Sequence, residues 1–354
     1  MEAQVSNSTK MILLVLNCLL LAIGNCGGPL IMRLYFIHGG KRIWLSSWLT
    51  TGGWPLILIP LLIAYFHRCS STTTTKLFFM KPRLFIYTAV VGLLTGLDDY
   101  LYAYGVARLP VSTIALIVAT HLAFTAGFAR LLVKQKFTSY SINAVFLLTV
   151  GAAVLALHTS GDRPNGESNK EYILGFILTL SSAALYGFVL PLIELSYIKA
   201  KQAITYTLVM EIQLVMCFFA TLLCTVAMLI NKDFEAIPRE AREFELGETK
   251  YYVVVVWSAI IWQFFFVGVV GIIFYASSLL SGIIIAVLIP VTEVLAVVFY
   301  HEKFGGEKGV ALVLSAWGFV SYFYGEIKHS KIKTSDEVPQ TEMAAGNTVV
   351  SDHA

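Results

Sequence analysis

Residues 251–275 read YYVVVVWSAIIWQFFFVGVVGIIFY, twenty-five residues without one charged side chain. A helix of that length rises about 37 Å, enough to cross the roughly 30 Å hydrocarbon core of a bilayer. Nothing inside the stretch would satisfy a backbone N–H or C=O in lipid except the segment's own helical ladder. The stretch therefore reads as a membrane-spanning helix. The same rule finds nine more segments, approximately 11–32, 43–66, 84–107, 111–133, 141–158, 172–193, 206–230, 282–300 and 309–327.

Composition agrees. Hydrophobic residues make up 57% of the 354, charged residues only 13%, and the mean hydropathy is +0.75. Soluble domains carry about 25% charged residues. The net charge of +3 contains no basic block of the kind that binds nucleic acid. The five cysteines form no CxxC pair, which argues against a zinc site or a disulfide framework. Segment 11–32 exceeds the roughly 7–15 apolar residues of a signal peptide and lacks a clear cleavage site, so it reads as a retained helix.

Connections between segments are mostly short. Arg108-Leu109-Pro110 makes a tight turn, and longer polar loops fall at 67–83, 159–171 and 231–250. Within the last, residues 238–244 read as an interfacial amphipathic helix. The tail from Lys328 is polar and reads as disordered, and its basic start suits a cytoplasmic face. Lysine and arginine are shared almost evenly between the two sides, so charge alone does not orient the chain.

An internal match explains that tie. Lys136-Phe137 and Lys303-Phe304 stand 167 residues apart, and the same offset pairs Gly151 with Gly318 and Thr125 with Thr292. Five helices is an odd number, so a second copy must enter the membrane from the opposite side. The expected organisation is a cytoplasmic N-terminus over 1–10, a first five-helix repeat over 11–158, a linker over 159–171, a second, inverted repeat over 172–327 and a cytoplasmic tail over 328–354. The fold class is all-α and polytopic, with ten transmembrane helices, an arrangement common in secondary transporters.

Several stretches together resemble the plant purine permeases, a branch of the drug/metabolite transporter superfamily. They are Gly27-Gly28-Pro29-Leu30, Gly39-Gly40-Lys41-Arg42-Ile43-Trp44, Gly96-Leu97-Asp98-Asp99-Tyr100, Ile261-Trp262-Gln263 and Pro290-Val291-Thr292-Glu293. The resemblance implies both termini in the cytoplasm. It also implies import of adenine, trans-zeatin and other cytokinins with protons, at the plasma membrane, with no cofactor.

Ionisable and polar groups within the segments carry the functional reading, because placing a charge at mid-bilayer costs at least about 2.5–3.5 kcal/mol. Glu293, three residues after Pro290, is a candidate proton-coupling group. Asp98 is a second, with Tyr102 one turn away; adjacent Asp98 and Asp99 diverge by about 100°, so one of the two is expected to line a cavity. His121 falls mid-helix and is suited to substrate or proton contact. Trp262 offers a stacking face and Gln263 a bidentate amide, the two things a purine base needs. Asn25, Tyr186, Glu211 and Gln213 complete the candidate substrate-binding set. For each, the competing reading is a hydrogen bond between packed helices.

Other classes fit less well. A sugar-phosphate exchanger needs cations deep in its cavity, whereas Lys and Arg cluster here at segment ends. Carriers of pyridoxine, alkaloids or other heterocycles in the same superfamily remain an alternative. A membrane enzyme needs a clustered catalytic constellation, and no phosphate loop, metalloprotease motif or nucleophile elbow occurs. A scaffold or receptor would carry no flux.

Overall fold

A computed structural model describes residues 7–71, 78–109, 114, 117–118, 120–157, 169–200, 202–300, 306, 309–310, 313–325 and 328. Eleven helices follow in order: α1 (Asn7–Ile37), α2 (Ile43–Thr51), α3 (Pro55–Ser71), α4 (Pro82–Arg108), α5 (His121–Leu132), α6 (Ser139–Leu157), α7 (Asn169–Lys199), α8 (Tyr206–Ile230), α9 (Asp233–Glu243), α10 (Glu248–Tyr275) and α11 (Ser278–Tyr300). A further helical run covers 313–325. Among the described residues there is no strand, and seven stretches are long and apolar enough to cross a membrane. The chain is a multi-pass, all-helical membrane protein. The polar tail beyond Lys328, the loop over 159–168 and the Lys303-Phe304 half of the internal match lie outside the described residues.

The segment expected as one helix over 43–66 is two. The backbone turns at 52–54 between α2 and α3. Gly52 and Gly53 weaken the helix there, and Pro55 has no N–H to offer the preceding turn. The amphipathic helix of the long loop starts earlier than its sequence suggests. It begins at Asp233, after Lys232 in the left-handed region at φ 57°.

Among the described residues, α1 and α10 make the most extensive contact between helices. Small residues make this possible. A Cβ at Gly24 would fall 2.2 Å from the Phe265 nitrogen, and one at Gly268 would fall 2.5 Å from the Leu21 nitrogen. No side chain fits at either place, so the two backbones meet directly. α4 packs between α7 and α8, α5 runs along α7, and α11 leans on α1 and α5. The main core cluster fills the space among them with Leu21, Leu122, Leu190, Phe265, Phe266 and Ile283. Outward faces carry residues such as Ile12, Ile63, Phe146 and Trp317, exposed as lipid-facing surface would be.

One end of the bundle is held by a polar latch. Glu240 of α9 accepts hydrogen bonds from Tyr35 Oη, from Tyr251 Oη at 3.1 Å and from the Lys41 backbone N–H at 3.2 Å. Arg42 pairs with Asp233 at 3.3 Å. This cluster ties α9 to the ends of α1, α2 and α10.

Candidate functional site

A pocket of about 190 Å³ opens between α1, α2, α4, α5, α7, α10 and α11. Drug-sized sites run about 300–1,000 Å³, so this one suits a smaller ligand. Its lining is mostly apolar and aromatic, with Val118, Phe265, Phe266 and Ile285 among the walls. No lysine or arginine lines it among the described residues.

Asp98 and Asp99 both line the pocket, although adjacent positions on a helix diverge. The reason is the place of α4, which faces α7 on one side and α2 on the other. Asp98 turns to α7, where its Oδ1 accepts from Ser182 Oγ at 2.7 Å. Asp99 turns to α2, where its carboxylate faces the Thr50 hydroxyl and its Oδ2 has no partner. Tyr102 lies one turn beyond Asp98 on the same wall.

His121 opens α5 and is 1% exposed. Helical hydrogen bonding tightens just before it. The Ile117 carbonyl accepts from both the Thr120 N–H at 3.0 Å and the Thr120 hydroxyl at 2.6 Å. The Val118 carbonyl accepts from His121 Nδ1 at 2.6 Å. The other ring nitrogen, Nε2, has no partner.

The aromatic wall is continuous. His121 sits 5.8 Å from Tyr186, Tyr186 6.3 Å from Phe265, and Phe265 5.4 Å from Trp262, ring centre to ring centre. Gly28 of α1 makes room for the indole, since a Cβ there would fall 2.8 Å from Trp262 Cε2. Asn25, one turn earlier on α1, completes this side.

Four buried polar atoms without a partner therefore belong to pocket residues: Asp99 Oδ2, His121 Nε2, Tyr186 Oη and Trp262 Nε1. Buried polar groups are normally paired, and leaving one bare costs about 1–3 kcal/mol. These four share one pocket; other such atoms among the described residues, Gln213 Oε1 and Gln263 Oε1 among them, belong to residues outside it. The set offers donors and acceptors beside flat rings, which is what a nitrogen heterocycle requires.

Six candidates from the sequence thus stand together: Asn25, Asp98, Tyr102, His121, Tyr186 and Trp262. Three stand elsewhere. The Glu211 carboxylate accepts from the Phe79 and Met80 N–H groups at 3.0–3.1 Å, which fastens α8 to the approach to α4. Gln213 donates to Cys217 Sγ at 2.9 Å. Gln263 donates to the Thr51 carbonyl at 3.1 Å, serving the end of α2 where the chain breaks. The side chain of Glu293 lies outside the described residues; its neighbour Thr292 lines the pocket. Asp99 lines the pocket together with Asp98, where one of the two was expected; Thr50, Ser182 and Thr292 are pocket residues that sequence reasoning passed over. Hydroxyls in membrane helices usually return to their own backbone, so nothing local distinguishes these.

The fold and the site together define a multi-pass helical membrane protein of the carrier kind, with a small, largely aromatic pocket between its helices. The purine nucleobase transmembrane transport family (PUNUT) matches residues 12–332. Purine permease 3 of Arabidopsis thaliana is 57% identical over 346 residues, covering 96% of this chain and 99% of that protein. Purine permease 2 of the same plant is 54% identical, covering 95% and 99%. A solved crystal structure at 14% identity superposes with a TM-score of 0.60 over 90% of this chain and 97% of its own, which establishes a shared fold. The chain belongs to the purine permease family of purine nucleobase transporters, and it is a transporter rather than an enzyme.

Proposed function

We propose that this protein imports adenine, cytokinins such as trans-zeatin and related purine-like bases together with protons, by alternating access at the plasma membrane. In this reading ten helices form two inverted five-helix repeats, and the pocket lies between them near the bilayer midplane, where secondary transporters hold their cargo. The observation that carries it is the convergence of unpartnered Asp99, His121, Tyr186 and Trp262 atoms on one aromatic pocket. A neutral base stacks on the aromatic wall and completes those hydrogen bonds. The carboxylate of Asp98 or Glu293 takes a proton from the acidic outside, which favours closure around the base. Proton release to the cytosol then lowers affinity.

Radiolabelled adenine uptake by the purified protein in liposomes tests this, with and without an inward proton gradient. The expected result is accumulation that an uncoupler abolishes and trans-zeatin competes. Folded, inserted protein that moves no adenine under either condition rejects adenine as cargo. Glu293→Gln is expected to abolish accumulation while sparing adenine exchange across the membrane. Equal loss of both would assign Glu293 a structural role.

A further inference from the structure

The His121 imidazole is fixed in one orientation by a contact that decides which of its nitrogens carries a proton. A carbonyl oxygen only accepts, so the hydrogen in the 2.6 Å contact with the Val118 carbonyl sits on Nδ1. Among the described residues no carboxylate pairs with this ring, although Asp98 and Asp99 line the same pocket. The Gly282 carbonyl of α11 also faces the imidazole, yet no hydrogen bond closes on Nε2. The neutral ring thus presents Nε2 to the pocket as a bare lone pair, buried and unpaired. Its Nδ1 bond does for this ring what an outer-shell partner does for a metal-bound histidine: it sets the tautomer.

The other unpaired groups narrow what that lone pair is for. Trp262 Nε1 only donates, so it takes a ring nitrogen acceptor of the base. The bare Asp99 Oδ2 accepts, so it suits an exocyclic amine. Adenine has one donor left, the N–H of its five-membered ring. That azole N–H is the most acidic donor on the base, and the imidazole lone pair is the most basic neutral acceptor in the pocket. Building on the purine reading above, we propose that His121 Nε2 accepts this azole N–H and so selects free bases over purines substituted at that nitrogen. A substituent there removes the donor and leaves Nε2 unpaired, which is the kind of mismatch that discriminates most strongly.

The test uses the full-length purified protein in nanodiscs and radiolabelled adenine, displaced by 9-methyladenine or by N6,N6-dimethyladenine. Wild type should bind adenine roughly ten- to a hundredfold more tightly than 9-methyladenine. In His121→Asn, whose amide can keep the Val118 contact but does not reach as far as Nε2, that ratio should fall to within about threefold. In His121→Gln, whose amide oxygen reaches the position of Nε2, the ratio should return. An unchanged ratio in His121→Asn, or equal ratios in the Asn and Gln variants, overturns the proposal. So does a His121→Asn variant that stops discriminating against N6,N6-dimethyladenine and still rejects 9-methyladenine. Wild type that binds no adenine overturns the adenine reading itself, and this inference with it.

Discussion

Two regions of this molecule bury carboxylates, and they treat them oppositely. At the latch, Glu240 is saturated by the Tyr35 and Tyr251 hydroxyls and the Lys41 N–H, with Arg42 close by. At the pocket, Asp99 keeps an oxygen with no partner, beside the bare His121, Tyr186 and Trp262 atoms. Both clusters are polar and both lie between helices. Glu240 spends both carboxylate oxygens on the fold, whereas Asp99 holds one back. The two carboxylates are equally buried, so what differs between them is saturation.

The sharpest way to break this comparison is at the latch. Glu240→Ala leaves two buried tyrosine hydroxyls and a backbone N–H wanting, and should lower stability by about 3 kcal/mol. A large drop in melting temperature is expected, while adenine uptake per folded molecule stays within about twofold. Loss of uptake without loss of stability would erase the distinction between the two clusters. At the pocket, Asp99→Asn should do the reverse. Gradient-driven uptake should fall about a hundredfold, a loss typical of removing a buried charged contact, with little change in melting temperature. A variant that unfolds instead would move Asp99 into the structural class. The smallest effect is expected from Tyr186→Phe, which removes a hydroxyl with no protein partner. It should weaken adenine binding about fivefold and leave thermal unfolding unchanged. Destabilisation comparable to Glu240→Ala would show that the hydroxyl has a partner in the fold.

Much of the architecture is legible in the sequence because lipid imposes one rule on every segment: the backbone must satisfy itself. That rule locates most of the helices. It does not locate the break at 52–54, because Leu49 and Ile57 keep the stretch apolar on both sides of the turn. Gly52-Gly53 and Pro55 are the local signal, and Gln263 supplies the distant half by meeting the Thr51 carbonyl. The site divides in a similar way. The cost of burying Asp98, His121 and Trp262 flags them from sequence alone, and they do meet at one pocket. The same cost flags Glu211 and Gln263, which serve helix ends instead. Desolvation says that a polar group has a partner; it is silent on whether that partner is a loop, a helix end or a cargo. Ser182, reached by Asp98 across 84 residues of chain, carries no sequence mark at all.

The bare contact of α1 with α10 has a mechanical consequence. Backbones that meet with no side chain between them at Gly24 and Gly268 have no give, so the two helices travel as a single mast. Asn25, Trp262 and Phe265 are mounted on that mast, whereas His121 and Tyr186 ride on α5 and α7. Under the proposed alternating access, the surface on which a base lies flat stays still while the groups that grip its edge swing past. The cargo is then handed from one side of the membrane to the other without ever being lifted from its bench.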